Sequence, residues 1–108
     1  MDDVSASEAT HAFEIVNPEA SARLVLTCDH AGNHVPPAFD DLGLPGDRLN
    51  EHIAWDIGAA ALTKQLAGQL DASAVMATHS RLFIDPNRKL GSADSILRVS
   101  DGVEVPGN

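Results

Sequence analysis

A short apolar run that ends abruptly in polar turn residues constrains the fold more than any other stretch. Residues 24–28 read LVLTC, and residues 29–37 read DHAGNHVPP. An apolar, β-prone run bounded by turn formers predicts a buried strand. Polar side chains at the C-terminal end of a strand lie where open α/β sheets bind their ligands. We therefore expect functional residues directly after this strand.

Composition limits the size of the molecule and its partners. The 108 residues are 44% hydrophobic, which suffices for the core of one small domain. The net charge is −9, and residues 1–56 hold eleven acids against Arg23 and Arg48. An acidic chain without a basic stripe argues against nucleic acid or an anionic membrane as a partner. The sequence leaves the oligomeric state open.

Cysteine usage and the N-terminus favour a cytoplasmic protein. The single cysteine, Cys28, excludes an internal disulfide and fits a reducing compartment. The chain has no apolar stretch of about 20 residues, the length that a membrane helix needs. It begins with the acidic MDDVS, whereas a signal peptide begins with basic residues.

The order of the predicted elements indicates an α/β fold with a mostly parallel sheet and flanking helices. A strand, a loop, a helix and a second strand in succession imply a right-handed crossover between parallel strands. We expect a leader and edge strand over residues 1–22, and the N-terminal part of one domain over 23–108. Residues 92–108 are predicted to be a loop, so the chain is expected to be incomplete. The predicted elements are an edge strand at 12–16, a buried strand at 23–28, a helix at 47–70 and strands at 72–78 and 80–85.

The helix prediction rests on a cap and an apolar stripe. Asp47 is placed to cap the N-terminus, and Gly58 and Gly68 are the weak points inside. Apolar residues recur at helical spacing, with one slip of phase. The stripe comprises Leu49, Ile53, Ile57, Leu62, Leu66 and Leu70.

The polar residues after the first buried strand include candidate metal ligands. A neutral imidazole such as His30 and a carboxylate such as Asp29 are good ligands for zinc. The alternative is that Asp29 caps the turn and His34 is solvated. His52 and Asp56 lie four residues apart, on one face of the predicted helix, where they could share an ion. As a surface pair they would contribute only about 0–1 kcal/mol.

A second polar group follows the last predicted strand. Arg81, Asp85, Asn87 and Arg88 would cluster at its C-terminal end. The arginine fork matches a substrate carboxylate in a bidentate fashion, and an adjacent Asn can hold a carbonyl or amide. The alternative is an internal Arg81–Asp85 or Arg88–Asp85 ion pair, and both roles can hold at once. Other catalytic motifs, such as Gly-x-Ser-x-Gly or paired cysteines, are absent from the sequence.

Four motifs, taken together, resemble the N-formylglutamate amidohydrolase family. They are DHAGNHVP at 29–36, HIAWDIGA at 52–59, SRLFIDPNR at 80–88, and the stretch from Ser100-Asp101-Gly102 to Pro106-Gly107-Asn108. The resemblance covers the chain from about Leu24 to its end. It implies a fold of the phosphorylase/hydrolase type, related to the zinc carboxypeptidases and aspartoacylases. It also implies hydrolysis of an N-acyl amino acid to formate, or another acid, and the free amino acid.

The same resemblance implies a metal site. His30 corresponds to a ligand of a divalent metal, taken to be zinc, and Asp56 to the carboxylate that complements it. Related hydrolases place a Glu three residues after the His, where this chain has Asn33, which we count as a substrate-binding candidate. Zinc would lower the pKa of bound water towards about 7 and polarise the scissile carbonyl.

The resemblance also implies a substrate site. Asn87 and Arg88 correspond to an Asn-Arg pair that grips the substrate carboxylate. Arg88 and Arg81 are the candidate catalytic residues, because they could stabilise the developing oxyanion. The acyl group and the amino acid stay open.

These candidate residues are too few to supply all the ligands and the general base of a catalytic site. A catalytic zinc site needs three protein ligands and a general base, whereas this chain offers two convincing ligands. A further His and the base are expected beyond Asn108, so the 108-residue chain alone is expected to be inactive. Two alternatives remain open. One is a non-catalytic module that binds a small carboxylate through Arg88, and the other is a purely structural fragment.

Overall fold

The computed structural model describes residues 11–108, which form one α-helix, five short strands and two short 3-10 helices. The first ten residues, which belong to the predicted leader, lie outside this range. The 3-10 helices are Pro37–Gly43 and Arg48–Asn50. The other elements are β1 (Phe13–Val16), β2 (Val25–Cys28), α1 (Ala59–Leu70), β3 (Ser73–Ala77), β4 (Val99–Ser100) and β5 (Val103–Glu104).

The main sheet is mixed, with the strand order β1-β3-β2. β2 pairs with β3 in parallel, and α1 connects them, as the strand, helix, strand pattern predicts. β1 pairs with β3 in antiparallel fashion, so the prediction of a mostly parallel sheet was wrong. The predicted edge strand at 12–16 is confirmed as β1. β2 is also an edge of this sheet and leaves Val25 62% exposed, so its predicted burial holds only for Cys28 at its end.

The helix is shorter than the apolar stripe predicted, because Gly58 begins it. Gly58 has a left-handed backbone with φ of 87°, and Asp47 makes no side-chain cap. One straight helix could not contact both apolar clusters, since Ile53 packs in one of them, whereas Ala59 and Ala60 of α1 pack against the other, on the sheet. The later leucines of the predicted stripe are exposed instead of buried: Leu62, Leu66 and Leu70. Within residues 11–108, no helix is long and apolar enough to span a membrane.

The segment predicted as a third strand consists of turns. Ser80 and Leu82 are fully buried, which produces the alternation that resembles a strand. The Ser80 hydroxyl donates to the carbonyl oxygen of Ala54 at 2.8 Å and accepts from the backbone N–H of Leu82 at 3.1 Å. These contacts fold the segment onto the stretch before α1 instead of onto a sheet edge.

The C-terminal segment, predicted as a loop, packs into the core. β4 and β5 form an antiparallel hairpin, and Val105 after it is 2% exposed beside Leu82. The Asn108 amide donates to the carbonyl oxygens of Leu82 at 2.8 Å and Leu97 at 2.6 Å. The hydrogen bonds that Asn108 donates and the burial of Val105 therefore hold this segment in place.

Gly32 permits the close approach that joins the loop after β2 to the end of β3. A Cβ at this position would collide with the backbone of Thr78. The same carbonyl oxygen of Thr78 accepts the backbone N–H of His34 at 3.1 Å, and the N–H of Ser80 donates to His34 at 2.8 Å. The loop therefore continues the parallel pairing past the ends of both strands.

We expect Gly32→Ala to lower the free energy of unfolding by about 1–3 kcal/mol or more, because the methyl group must displace backbone atoms. Gly68→Ala in α1 is the matched control, since no atom lies within 4 Å of its Cβ position. It should be stabilising by about 0.4–1 kcal/mol. Urea unfolding followed by circular dichroism measures both changes. Equal midpoints for the two variants would contradict the close approach.

Candidate functional site

The candidate site centres on His30, whose imidazole lies between two carboxylates. His30 lies two residues after the end of β2, and its side chain is 10% exposed. Its Nε2 lies 2.7 Å from Asp85 Oδ1, and its Nδ1 lies 3.4 Å from Asp56 Oδ2. The strand end, the stretch before α1 and the turn after β3 thus each contribute one side chain.

Asp85 is the most buried member of the cluster, with a side chain 1% exposed. Oδ1 also accepts the backbone N–H of Asn87 at 2.9 Å, and Oδ2 lies 3.3 Å from an Arg81 nitrogen. Burial raises the pKa of this carboxyl group, but the hydrogen bonds from His30 and Asn87 and the positive charge of Arg81 outweigh it. The net effect lowers the pKa of Asp85 below its usual value, so the carboxylate stays ionised near neutral pH.

Asp56 is more exposed and is held through its backbone. Its N–H donates to the carbonyl oxygen of His30 at 2.9 Å, which fixes the two residues side by side. A nitrogen of Arg81 lies 3.8 Å from Asp56 Oδ1, so this guanidinium contacts both carboxylates of the cluster. The prediction that Asp56 shares a helix face with His52 was wrong, because both precede α1. His52 instead lies 2.9 Å from exposed Asp101.

The donor atoms of His30 and Asp56 fit two positions of a zinc site. A histidine ligand usually donates its other ring N–H to a carboxylate, and Asp85 is placed to accept from Nε2. Nδ1 is then the free donor atom. Two ligands at about 2.0–2.1 Å from a tetrahedral ion lie about 3.3 Å apart, close to the observed 3.4 Å. Residues 11–108 hold no group of three or more His, Cys, Asp or Glu arranged to bind a metal.

The predicted substrate residues Asn87 and Arg88 lie in the turn after Asp85. Arg88 Nε lies 3.2 Å from Asp94 Oδ2, and one terminal nitrogen donates to the carbonyl oxygen of Asn87 at 3.1 Å. Of the two ion pairs considered from the sequence, the structure forms Arg81–Asp85. Arg88 contacts Asp85 only through the backbone, where its N–H donates at 3.2 Å.

The side chain of Asn33 makes structural hydrogen bonds. Its side-chain amide donates to the carbonyl oxygen of Leu49 at 2.7 Å and lies 3.4 Å from Asn50 Oδ1. It therefore ties the loop after β2 to the 3-10 helix Arg48–Asn50. The contacts of Asn33 include none of the side chains of the His30 cluster.

The hydrogen bond between His30 and Asp85 is the contact of the candidate site that the sequence does not predict. From the sequence, Asp85 is a candidate partner only for an arginine. The two residues are 55 positions apart, and no spacing rule connects them. The sequence shows only that Asp85 follows an apolar segment. That position indicates a buried carboxylate only once the segment is known to be buried.

Comparisons with known proteins gave one family and one similar structure. The family model for N-formylglutamate amidohydrolase matches residues 22–108. The chain is also similar to a gene product of Agrobacterium tumefaciens of known crystal structure, with 32% identity and a TM-score of 0.88. That match covers 96% of this chain and 43% of the other, so the chain spans less than half the length of this relative. The comparison with curated proteins gave no match.

We expect Asp85→Asn to be destabilising by about 1–3 kcal/mol at neutral pH, because it removes the charge that His30 and Arg81 contact in a buried place. A carboxyl group with a lowered folded pKa stabilises the fold above its unfolded pKa, and this contribution is lost as the pH falls through the folded value. The wild-type advantage over the variant should therefore shrink as the pH falls below the ordinary aspartate pKa of about 3.9 and disappear below the lower pKa of the folded state.

Urea titrations at several pH values measure this difference. Asp94→Asn is the matched control, because it removes the same charge from the exposed pair with Arg88. That variant should change the free energy of unfolding by about 0–1 kcal/mol. A penalty for Asp85→Asn that persists unchanged in acid would contradict the assignment of an ionised, stabilising carboxylate.

Proposed function

The chain belongs to the N-formylglutamate amidohydrolase family, and from this premise we propose that its site serves the metal-dependent hydrolysis of an N-acyl amino acid. The substrate class is that of N-formylglutamate, which with water gives formate and the free amino acid. The observation that carries the proposal is the His30 ring, held by buried Asp85 with Nδ1 directed at Asp56. A histidine fixed in this way is typical of a metal ligand rather than of a solvated surface residue.

The proposed metal residues have separate tasks. His30 Nδ1 and Asp56 Oδ2 would hold a divalent ion, for which zinc suits the nitrogen and oxygen donors. When bound, zinc supplies activation of water and polarisation of the scissile carbonyl. Asp85 accepts from Nε2, selects the tautomer of His30 and holds the plane of the ring. Asp85 also keeps Arg81 beside the cluster.

The two arginines and two asparagines would serve the substrate. Arg88 is 40% exposed along its side chain, and Asp94 occupies the position that a substrate carboxylate would take. Exchange of one carboxylate for the other would give a bidentate contact without moving the backbone. Asn87, at the same turn, is proposed to orient the amide. Arg81 would stabilise the charge that develops on the carbonyl oxygen of the substrate. Asn33 would contact the substrate once its hydrogen bond to Leu49 is broken.

The site needs further groups for catalysis. The two proposed ligands fall short of the three that a catalytic zinc requires, and none of the candidate residues is assigned the role of general base. We propose that both come from polypeptide outside residues 11–108. In this proposal the activity belongs to a longer protein. The structural match, which covers 43% of the relative's chain, supports this.

One observation favours a second candidate function. Asn87 and Arg88 are both exposed at the turn after Asp85, where a small carboxylate could reach them. A non-catalytic module that binds a small carboxylate would need only these two residues. The two candidates differ in whether binding of the carboxylate depends on metal.

We expect the chain to retain zinc after dialysis against a weak competing chelator, and His30→Ala to retain about one equivalent less than the wild type, because the variant removes the fixed nitrogen donor. Mass spectrometry of the metal content measures this. His52→Ala is the matched control, since its imidazole is exposed and contacts only Asp101 among the described residues. It should retain as much zinc as the wild type. Equal zinc retention in all three proteins, or its absence from all three, would contradict the proposed ligand.

We expect N-formyl-L-glutamate to bind the zinc-loaded chain at least about tenfold more weakly after Arg88→Gln, because a bidentate charged contact is lost. Arg98→Gln, which removes the same charge from another exposed arginine, should leave affinity unchanged within about twofold. Titration calorimetry measures both. An equal loss in the two variants would indicate attraction by net charge alone. Full binding by the metal-free chain would favour the carboxylate module.

A further inference from the structure

A pair of histidines outside the His30 cluster lies where the loop after β2 meets the end of β3. His34 and His79 are directly opposite each other in a parallel bridge. The bridge is fixed by two backbone hydrogen bonds, from His34 to Thr78 and from Ser80 to His34, of 3.1 and 2.8 Å. The ring centroids are 5.2 Å apart, and the ring planes are tilted by 39°. The backbone therefore holds two imidazoles side by side on one face.

Both imidazoles are available as ligands. Both rings are partly buried. Within residues 11–108, no ring nitrogen of His34 or His79 makes a hydrogen bond. Phe83 packs against His79 with centroids 5.5 Å apart. Desolvation, and secondly the charge of His34, lower the pKa of His79 below its ordinary value. A lowered pKa favours the neutral form of the His79 ring, which is the form that binds a metal.

The separation of the rings matches a shared metal ion. An ion bound at about 2.0–2.1 Å from a ring nitrogen lies about 3.2 Å from the ring centroid, so two imidazoles on one tetrahedral ion have centroids about 5.2 Å apart. The observed separation is the same. We propose that His34 and His79 form a two-imidazole site for a borderline divalent transition metal ion such as Zn²⁺ or Cu²⁺.

Both rings are only partly buried, so water can reach the open coordination positions of such an ion. Terminal torsions of histidine are broad, so rotation of each ring about χ2 brings one nitrogen towards the ion at small cost. The two backbone hydrogen bonds meanwhile keep the Cβ atoms in place.

Site-resolved protection from diethyl pyrocarbonate tests the proposal on the complete chain. Zn²⁺ alone is the probe, and peptide mass spectrometry gives the modification rate of each histidine at neutral pH. We expect saturating Zn²⁺ to slow modification of His34 and His79 by about tenfold, with one half-saturating concentration, because one ion occupies a nitrogen of each. Exposed His52 should react at an unchanged rate.

Two variants show whether the ion is shared. In His34→Gln, Zn²⁺ should no longer protect His79 at that concentration, and in His79→Gln it should no longer protect His34. His52→Gln should leave both protected. Protection of only one ring in the wild type, or protection of His79 that survives His34→Gln, overturns the proposal. If either variant fails to fold by circular dichroism, the joint half-saturation in the wild-type chain decides the question.

Discussion

The hydrogen bond between His30 and Asp85 is the interaction on which the arrangement of the site depends. It joins two positions 55 residues apart, and both side chains are almost completely withdrawn from water. A hydrogen bond to an ionised group contributes about 1.5–3 kcal/mol, and its loss leaves a buried charge without compensation. The fold therefore tolerates Asp85 only while His30, Arg81 and the backbone of Asn87 satisfy it.

Loops carry this site, yet backbone hydrogen bonds between the loops give it a fixed geometry. The N–H of Asp56 donates to His30, and Ala54 accepts both the hydroxyl of Ser80 and the N–H of Arg81. The segments after β2, before α1 and after β3 are thus bonded to one another and not only to the sheet. Binding residues placed on such cross-bonded loops keep their geometry, as pre-organised sites require.

Local patterns predicted the elements that depend on local interactions and failed where tertiary contacts decide. The edge strand at 12–16, the strand at 72–78 and the strand, helix, strand order are confirmed, because alternation and β-propensity are local properties. The long helix failed because Gly58 turns the chain between two cores. The third strand failed because the alternation that ends at Asp85 reflects burial under the C-terminal segment. His30 is a candidate site residue because it follows a strand. Its partner Asp85 is 55 positions away, and no sequence spacing predicts that contact.

The charge of the cluster gives the proposed metal a second task. Two carboxylates, Asp56 and Asp85, face one guanidinium, Arg81, so with a neutral His30 the cluster carries a net charge of −1. A chain with a net charge of −9 would be expected to repel an anionic substrate. Charges farther away than about 8 Å are largely screened at physiological ionic strength, so the local balance decides. A divalent ion would change that balance to +1, and Arg88 would add to it. In the proposed function the ion therefore makes the site attractive to the substrate carboxylate as well as reactive towards its amide.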